Sequence, residues 1–202
     1  MSRPRMPAFT LVEVLLATVM VALMAAGVAA ILQVAAYGSS SQREVRRVVV
    51  RSRQAQARLD AALRNAHAIL ASGSGYIVLW TGDSRTDKKV NPSELQLIEL
   101  ASGTLTSYTT VYPGGWTQAQ IDAADTAYPT GTNYYTAAQN AKSGAYFPGT
   151  PWCTQLSGLS FTLNAAVTTE ATLVTYSVTL TDASLTEPVQ ASVALRVQEA
   201  PG

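Results

Sequence analysis

The distribution of hydrophobic and polar residues begins with a long apolar run at residues 9–32, in which Glu13 is the single charged residue. A helix rises about 1.5 Å per residue, so a run of this length crosses a hydrocarbon layer of roughly 30 Å and predicts a transmembrane segment. A carboxylate in that setting costs roughly 2.5 kcal/mol or more, which indicates a functional position with a cationic partner. Cleavage between Ala8 and Phe9 would create the nearest candidate cation, a new amino group on Phe9.

The helical pattern continues beyond the apolar run, because no proline occurs between Pro7 and Pro92 and no glycine between Gly38 and Gly73. Apolar or small residues recur at alternating steps of three and four, which is the spacing of an amphipathic helix. The positions of this stripe are Val45, Val48, Ser52, Ala55, Leu59, Ala62, Ala66 and Ile69. Glycines at residues 72–75 predict the end of the helix. One helix is therefore expected over residues 9–72, with its second half beneath a globular head.

From residue 76 onwards the pattern changes to that of β-strands. The predicted strands lie at residues 76–80, 94–100, 105–112, 156–163, 171–181 and 189–197. The middle region, residues 113–151, predicts long loops with one short helix near residues 117–127, and residues 182–188 predict a loop before the last strand. The expected fold class is α+β: a long amino-terminal helix packed against a mainly antiparallel β-sheet head at residues 73–202.

Composition excludes several classes of function. The chain has 202 residues, which leaves room for one modest domain after an anchor. Charged residues make up 13% and the net charge is +1, so no nucleic-acid partner is expected. Cys153 and His67 are the only residues of their types, so an intrachain disulfide and a catalytic triad have no basis in the sequence, and no enzymatic activity is expected. Two alternatives remain for Cys153: a buried thiol or a bond between chains.

Two further groups of residues allow a functional and a structural interpretation. Asp122 and Asp125 on the short predicted helix are more simply a solvated face than an acid/base pair. Three tyrosines of the middle region form either a recognition surface or a locally packed cluster: Tyr128, Tyr134 and Tyr135.

A twelve-residue stretch at residues 83–94 has the spacing of a calcium-binding loop. Its candidate ligands are Asp83, Asp87, Asn91 and Glu94, with Glu94 at the bidentate twelfth position. Two features depart from the pattern: Arg85 occupies the third position, where an oxygen ligand belongs, and Lys88 replaces the glycine at the sixth. Both cations weaken the attraction for Ca²⁺, so the stretch is expected to be either a degenerate calcium site or a hairpin loop. No other cofactor is expected.

The amino-terminal residues carry a family resemblance. A short basic segment with Arg3 and Arg5 precedes Ala8, and Phe-Thr-Leu-Val-Glu at residues 9–13 opens the apolar run. This combination resembles the leader and processing site of type IV pilins and of the pseudopilins of type II secretion. The family usually has glycine where this chain has Ala8, which implies slower cleavage. Ala30 stands where many major pilins carry proline, which favours a minor subunit.

The resemblance implies a function for the amino terminus. A prepilin peptidase would remove the leader, residues 1–8, by cleaving between Ala8 and Phe9, and would methylate Phe9. Glu13 would then pair with the amino group of a neighbouring subunit during assembly on an inner-membrane platform. The implied partners are other pilins or pseudopilins, the peptidase, the platform and membrane lipid. The implied location is the bacterial inner membrane, with a single pass and the head in the periplasm.

Two alternatives of other classes stay open at this point. One is a monomeric, membrane-anchored protein whose head binds a ligand or a surface polymer. The other is an anchored hydrolase. Within the pilin interpretation, secretion, adhesion, motility and DNA-uptake machines all use the same amino-terminal device.

Overall fold

The computed structural model describes residues 10–182 and 185–195. The chain divides into two compact units, Met1–Arg46 and Arg47–Gly202. The α-helices among the described residues are α1 (Leu11–Asn65), α2 (Gln118–Ala124) and α3 (Tyr134–Lys142). The β-strands are β1 (Ala68–Gly73), β2 (Tyr76–Trp80), β3 (Leu95–Ala101), β4 (Thr104–Thr109), β5 (Gly149–Thr154), β6 (Leu156–Leu163), β7 (Leu173–Asp182) and β8 (Leu185–Ala194).

The first unit contains the amino-terminal part of α1. Within it, the 24 residues Leu11–Val34 form a helix that is long and apolar enough to cross a membrane. Every side chain from residue 11 to residue 34 is exposed, on all sides of the helix. A helix that is apolar all round needs an apolar environment, which lipid or other helices supply. The coarse prediction of an amino-terminal segment able to span a membrane is therefore confirmed.

Two antiparallel sheets form the framework of the second unit. One has the order β1-β2-β3-β4-β5 and the other the order β6-β7-β8, so strands adjacent in sequence are also adjacent in each sheet. All the strand pairs are antiparallel. The predicted α+β class is confirmed, and the strands predicted at residues 76–80 and 156–163 coincide with β2 and β6.

The part of α1 in the second unit packs against both sheets. Its residues in the main apolar cluster are Val48, Ala55, Leu59 and Leu63. Every strand contributes at least one side chain to the same cluster. The predicted stripe is correct at Val48, Ala55 and Leu59. At the next turn Leu63 is fully buried, whereas Ala62 is only partly buried.

The predicted end of the helix at residue 72 is wrong. α1 ends at Asn65, and β1 pairs with β2 in a hairpin. Gly75 has a φ of 81° at the turn of this hairpin, so the glycine signal marks a strand turn and not a helix end. Ala66 and Ile69 fit the spacing of the helical stripe, although Ala66 follows α1 and Ile69 lies in β1. The sequence of β1 does not reveal a strand, because its first three residues are buried and its apolar and polar residues do not alternate.

Other differences lie in segments with weak strand or helix signals. The region predicted as loops with one short helix, residues 113–151, contains α2 as expected, but also α3 and the start of β5. Residues 185–188, predicted as loop, belong to β8. β5 contains Pro151 and β8 contains Pro188, and both strands lie at the outer edge of their sheets, where proline is tolerated.

Replacing Leu59 by alanine is expected to lower the free energy of unfolding by about 3 kcal/mol, because the fully buried side chain leaves a cavity in the main cluster. Leu173→Ala is the matched control, since Leu173 is 39% exposed, and its expected loss is below about 1 kcal/mol. Urea unfolding of the full chain, followed by the fluorescence of its three tryptophans, measures both changes. Equal losses in the two variants would contradict the packing of α1 against the sheets.

Candidate functional site

The first predicted functional position that the structure describes is Glu13, because Ala8 and Phe9 lie outside the described residues. Glu13 lies in the first turn of α1. Its backbone N–H donates to the carbonyl oxygen of Thr10 at 3.1 Å and to Thr10 Oγ1 at 3.3 Å, so Thr10 caps the start of the helix. The helix dipole favours a carboxylate at this end. The side chain of Glu13 is exposed and accessible to a partner.

Two alanines and a valine follow Glu13 along one face of α1. Ala17, Val21 and Ala25 lie at successive steps of four residues and line the same shallow groove as Glu13. In a membrane, small side chains let neighbouring helices approach closely. The carboxylate therefore lies at one end of a surface suited to contact with another apolar helix.

Among the predicted calcium ligands, Glu94 has a fully occupied environment. Its side chain is buried, with 2% of the residue exposed. Oε1 accepts hydrogen bonds from the backbone N–H of Ser84 at 2.6 Å, from the Ser84 hydroxyl at 2.8 Å and from the Arg85 N–H at 3.3 Å. Oε2 accepts from Trp80 Nε1 at 3.1 Å and from the Asn91 N–H at 3.2 Å. Both oxygens therefore face hydrogen-bond donors, whereas a bound cation would need their lone pairs.

The other acids of the loop also bond to its backbone. Asp83 Oδ1 accepts from the Asp87 N–H at 3.1 Å, and Asp83 Oδ2 accepts from the Lys88 N–H at 3.0 Å. Asp87 Oδ1 accepts from the Lys89 N–H at 2.9 Å. Lys88 has a φ of 57°, so the sharp turn that glycine provides at this position of a calcium loop is made here by a lysine. These contacts close successive turns of the chain.

The fourth predicted ligand, Asn91, is 1% exposed and lies within the loop as the residue before a short 3-10 turn. Within residues 10–182 and 185–195, no group of three His, Cys, Asp or Glu side chains lies close enough to hold a metal ion. Calcium binding stays a prediction, and the hydrogen bonds of Asp83, Asp87 and Glu94 favour the hairpin-loop interpretation.

A second buried carboxylate, Asp125, links α2 to the same loop. It is 3% exposed. Asp125 Oδ1 accepts from the Ser93 N–H at 2.7 Å and from the Tyr112 hydroxyl at 2.9 Å. Asp125 Oδ2 accepts from the Ser93 hydroxyl at 2.7 Å and from Arg85 Nε at 2.8 Å. Arg85, which breaks the calcium pattern, thus serves as the cation of this network, and it also reaches the exposed Asp122 at 3.0 Å.

These contacts set the ionisation of the network. Burial acts to raise the pKa of Asp125, but the hydrogen bonds from Ser93, Arg85 and Tyr112 outweigh it and hold that pKa below its usual value. The hydrogen bond to Asp125 raises the pKa of Arg85. Burial, together with the hydrogen bond to Asp125, raises the pKa of the Tyr112 phenol. At neutral pH the network therefore holds one buried carboxylate, one guanidinium and a protonated phenol.

The interpretation of Asp122 and Asp125 as one solvated face is correct for the first residue only. The side chain of Asp122 is 47% exposed, and that of Asp125 is 3% exposed. The partners of Asp125 lie 13, 32 and 40 residues away in sequence, at Tyr112, Ser93 and Arg85. The sequence signal for this network is Arg85, which occupies a position where a calcium-binding loop has an oxygen ligand.

Cys153 and His67 have packed environments. Cys153 is 7% exposed, so the buried-thiol alternative agrees with the structure, and burial raises the pKa of its thiol. His67 lies between α1 and β1, with its ring edge-on to Trp80 at 5.8 Å between centroids.

Comparisons of the chain with models of known protein families, with curated proteins and with solved structures found no match. The functional argument therefore rests on the residues and geometry of this chain, foremost Glu13 in the apolar helix.

Asp125→Asn is expected to lower the free energy of unfolding at neutral pH by about 2 kcal/mol, because Ser93 and Arg85 lose a buried charged acceptor. Asp122→Asn is the matched control. It removes a carboxylate from the same arginine at an exposed position and should have a much smaller effect. Urea unfolding measures both variants, and similar losses would contradict the central role of Asp125.

The pH dependence of stability provides a second test of Asp125. Its pKa is lowered in the folded state, so its contribution is fully present above the unfolded pKa of about 3.9 and is lost as the pH falls through the folded pKa. The parent should therefore lose more stability than Asp125→Asn between about pH 4 and about pH 2. Urea unfolding across this range measures the difference, and parallel curves for the two proteins would rule out the expected linkage.

Proposed function

We propose that this chain is a pilin-like subunit, a minor pseudopilin or minor type IV pilin that assembles through its amino-terminal helix into a pseudopilus or pilus. One observation carries the proposal: the apolar stretch Leu11–Val34 is exposed on all sides and contains a single charge, Glu13, at its beginning. Such a helix needs lipid or other helices around it. The resemblance of residues 3–32 to the pilin family supplies the identity of those helices.

The mechanism follows from the cost of the carboxylate. In lipid, Glu13 is expensive unless it is neutralised by a partner. Removal of residues 1–8 gives Phe9 an amino group, and the Glu13 of an entering subunit pairs with the amino group of its neighbour. Ala17 and Ala25 allow the two helices to approach closely next to that pair. The pairing draws each subunit into register with the one before it.

The same proposal places the second unit in the periplasm and the apolar helix in the bacterial inner membrane before assembly. The main rival is an anchored monomer whose head binds a ligand. The two differ in whether a peptidase processes the amino terminus and whether Glu13 is needed for association.

Co-expression with a prepilin peptidase is expected to yield a product that begins at a methylated Phe9. Ala8→Gly should be processed faster, since glycine is the usual residue there in the family. Ala8→Leu, with a bulky side chain at the cleavage position, should remain intact and serves as the negative control. Intact-mass spectrometry of membrane-extracted protein distinguishes the products. A parent chain that still begins at Met1 in the presence of active peptidase would refute the pilin proposal.

Glu13→Gln should insert into the membrane normally but enter filaments at least about tenfold less than the parent, because an amide cannot neutralise the amino group of the neighbour. Leu23→Met is the matched control on the same helix. Leu23 is exposed and does not line the groove that contains Glu13, and the change keeps an apolar side chain of similar size, so assembly should be unchanged. Membrane fractionation and quantification of sheared filaments provide the two readouts. Equal assembly of Glu13→Gln and the parent would exclude the charge-pairing mechanism.

A further inference from the structure

Two neighbouring cavities on the second unit share Tyr134 as a wall. One, of about 360 Å³, is also lined by Tyr128 and Lys89. The other, of about 320 Å³, is also lined by Tyr76 and Tyr135. Both volumes lie near the lower end of the range of small-molecule sites. Two such cavities divided by one ring suit successive units of a chain-like ligand.

Local contacts hold the four tyrosine rings in place. Tyr76 and Tyr135 stack with their centroids 3.7 Å apart, and Tyr128 meets Tyr134 edge-on at 6.1 Å. The Tyr76 ring lies over Gly73, where an added Cβ would come within 2.5 Å of the ring. The aromatic surfaces are therefore organised in the absence of a ligand, which reduces the entropic cost of binding.

The helix that carries two of these tyrosines is also fixed. At the start of α3, Asn133 Oδ1 accepts from the Thr136 N–H at 3.0 Å and caps the helix. Further along, Gln139 donates to the carboxylate of the buried Glu99 on β3 at 2.6 Å, and Lys142 forms an ion pair with the same carboxylate. These contacts hold α3 on the five-stranded sheet and keep the shared wall in position.

Hydroxyl and amide groups surround the tyrosines. The lining residues that carry them are Ser72, Thr130, Thr132, Asn133 and Thr168. Hydroxyl and amide side chains can both donate and accept hydrogen bonds. Burial raises the pKa of Tyr128 and Tyr134, so their phenols stay protonated and can act as donors as well. Three of these residues already form internal hydrogen bonds: Thr132 and Thr168 donate to the carbonyls of Pro129 and Leu70, and Asn133 Oδ1 accepts from Thr136. They offer a ligand the hydroxyl oxygens of the threonines as acceptors and the Asn133 amide NH2 as a donor.

The charge of the lining excludes other ligand classes. Lys89 is the one charged side chain among the described residues that line the cavities, and none of these residues is acidic. A metal ion would need carboxylates, and a nucleic acid would need a row of cations. A proline-rich peptide also uses aromatic grooves, but its prolines offer only acceptors. A neutral polyhydroxyl ligand uses both the donors and the acceptors of the lining.

We propose that these two cavities bind a neutral oligosaccharide, with sugar rings against the shared Tyr134 and sugar hydroxyls bonded to the surrounding hydroxyl and amide groups. The site lies within the second unit and does not depend on pairing through Glu13. It gives the head a ligand whether the chain assembles or remains an anchored monomer.

The test uses the full chain in phosphatidylcholine nanodiscs, because many detergents carry sugar head groups. The probes are maltohexaose, cellohexaose and chitohexaose, with decaproline and oligothymidylate as competitors of other classes. Saturation-transfer NMR detects binding, and a titration gives the affinity. At least one of the three sugars should bind, and neither competitor should displace it.

Variants of the shared wall connect binding to the site. Tyr134→Ala should weaken sugar binding about tenfold, because it removes the ring common to both cavities. Tyr134→Phe keeps the ring and its packing, so it should fold normally and bind about threefold more weakly. Tyr146→Ala, an exposed tyrosine outside both cavities, is the matched control and should bind like the parent. The proposal fails if no sugar binds, if Tyr134→Ala and Tyr134→Phe both bind like the parent, or if decaproline or oligothymidylate displaces the sugar.

Discussion

Burial of one face of α1 against two antiparallel sheets is the contact on which the second unit depends. Side chains from all eight strands meet Leu59 and its neighbours in one cluster. The five-stranded sheet is also covered on its other face, where a second cluster includes Ala138 of α3 and Phe147. β2 shows the result: Ile77 and Leu79 join the first cluster, and Val78 and Trp80 join the second. A strand buried on both faces reads as a continuous apolar run.

Because both faces of this sheet are covered, charged side chains near it are buried and need partners. Three buried acids show how such charges are accommodated. Glu99 is buried within β3 and is neutralised by Lys142 of α3. Glu94, just before the same strand, accepts hydrogen bonds from Ser84 of its own loop and from Trp80 of β2. Asp125 combines both solutions, with donors from Ser93 and a guanidinium from Arg85. Each carboxylate thereby ties a connecting segment to the sheet, because a buried charge without partners would be strongly destabilising.

The parts of the fold that could be predicted were those with strong local periodicity. The apolar helix, β2 and β6 were located correctly because length or composition alone defines them. β1 was mistaken for helix because it is short and lacks alternation, and α3 was missed because its tyrosines resemble loop composition. Local patterns do not reveal the network of Asp125, since its partners come from segments 13, 32 and 40 residues away. Residues 83–94 have the spacing of a calcium-binding loop, but Asp83 and Asp87 bond to backbone N–H groups of the same loop. The spacing of the residues alone does not reveal these hydrogen bonds.

The prolines of strands β5 and β8 have a consequence for contacts between copies of the chain. β5 and β8 each end a sheet, and an exposed sheet edge invites a strand from another molecule to continue its ladder. Pro151 and Pro188 supply no N–H group, so neither strand can offer an unbroken row of donors to a newcomer. At these two edges the chain is thereby protected from pairing, strand to strand, with another copy of itself.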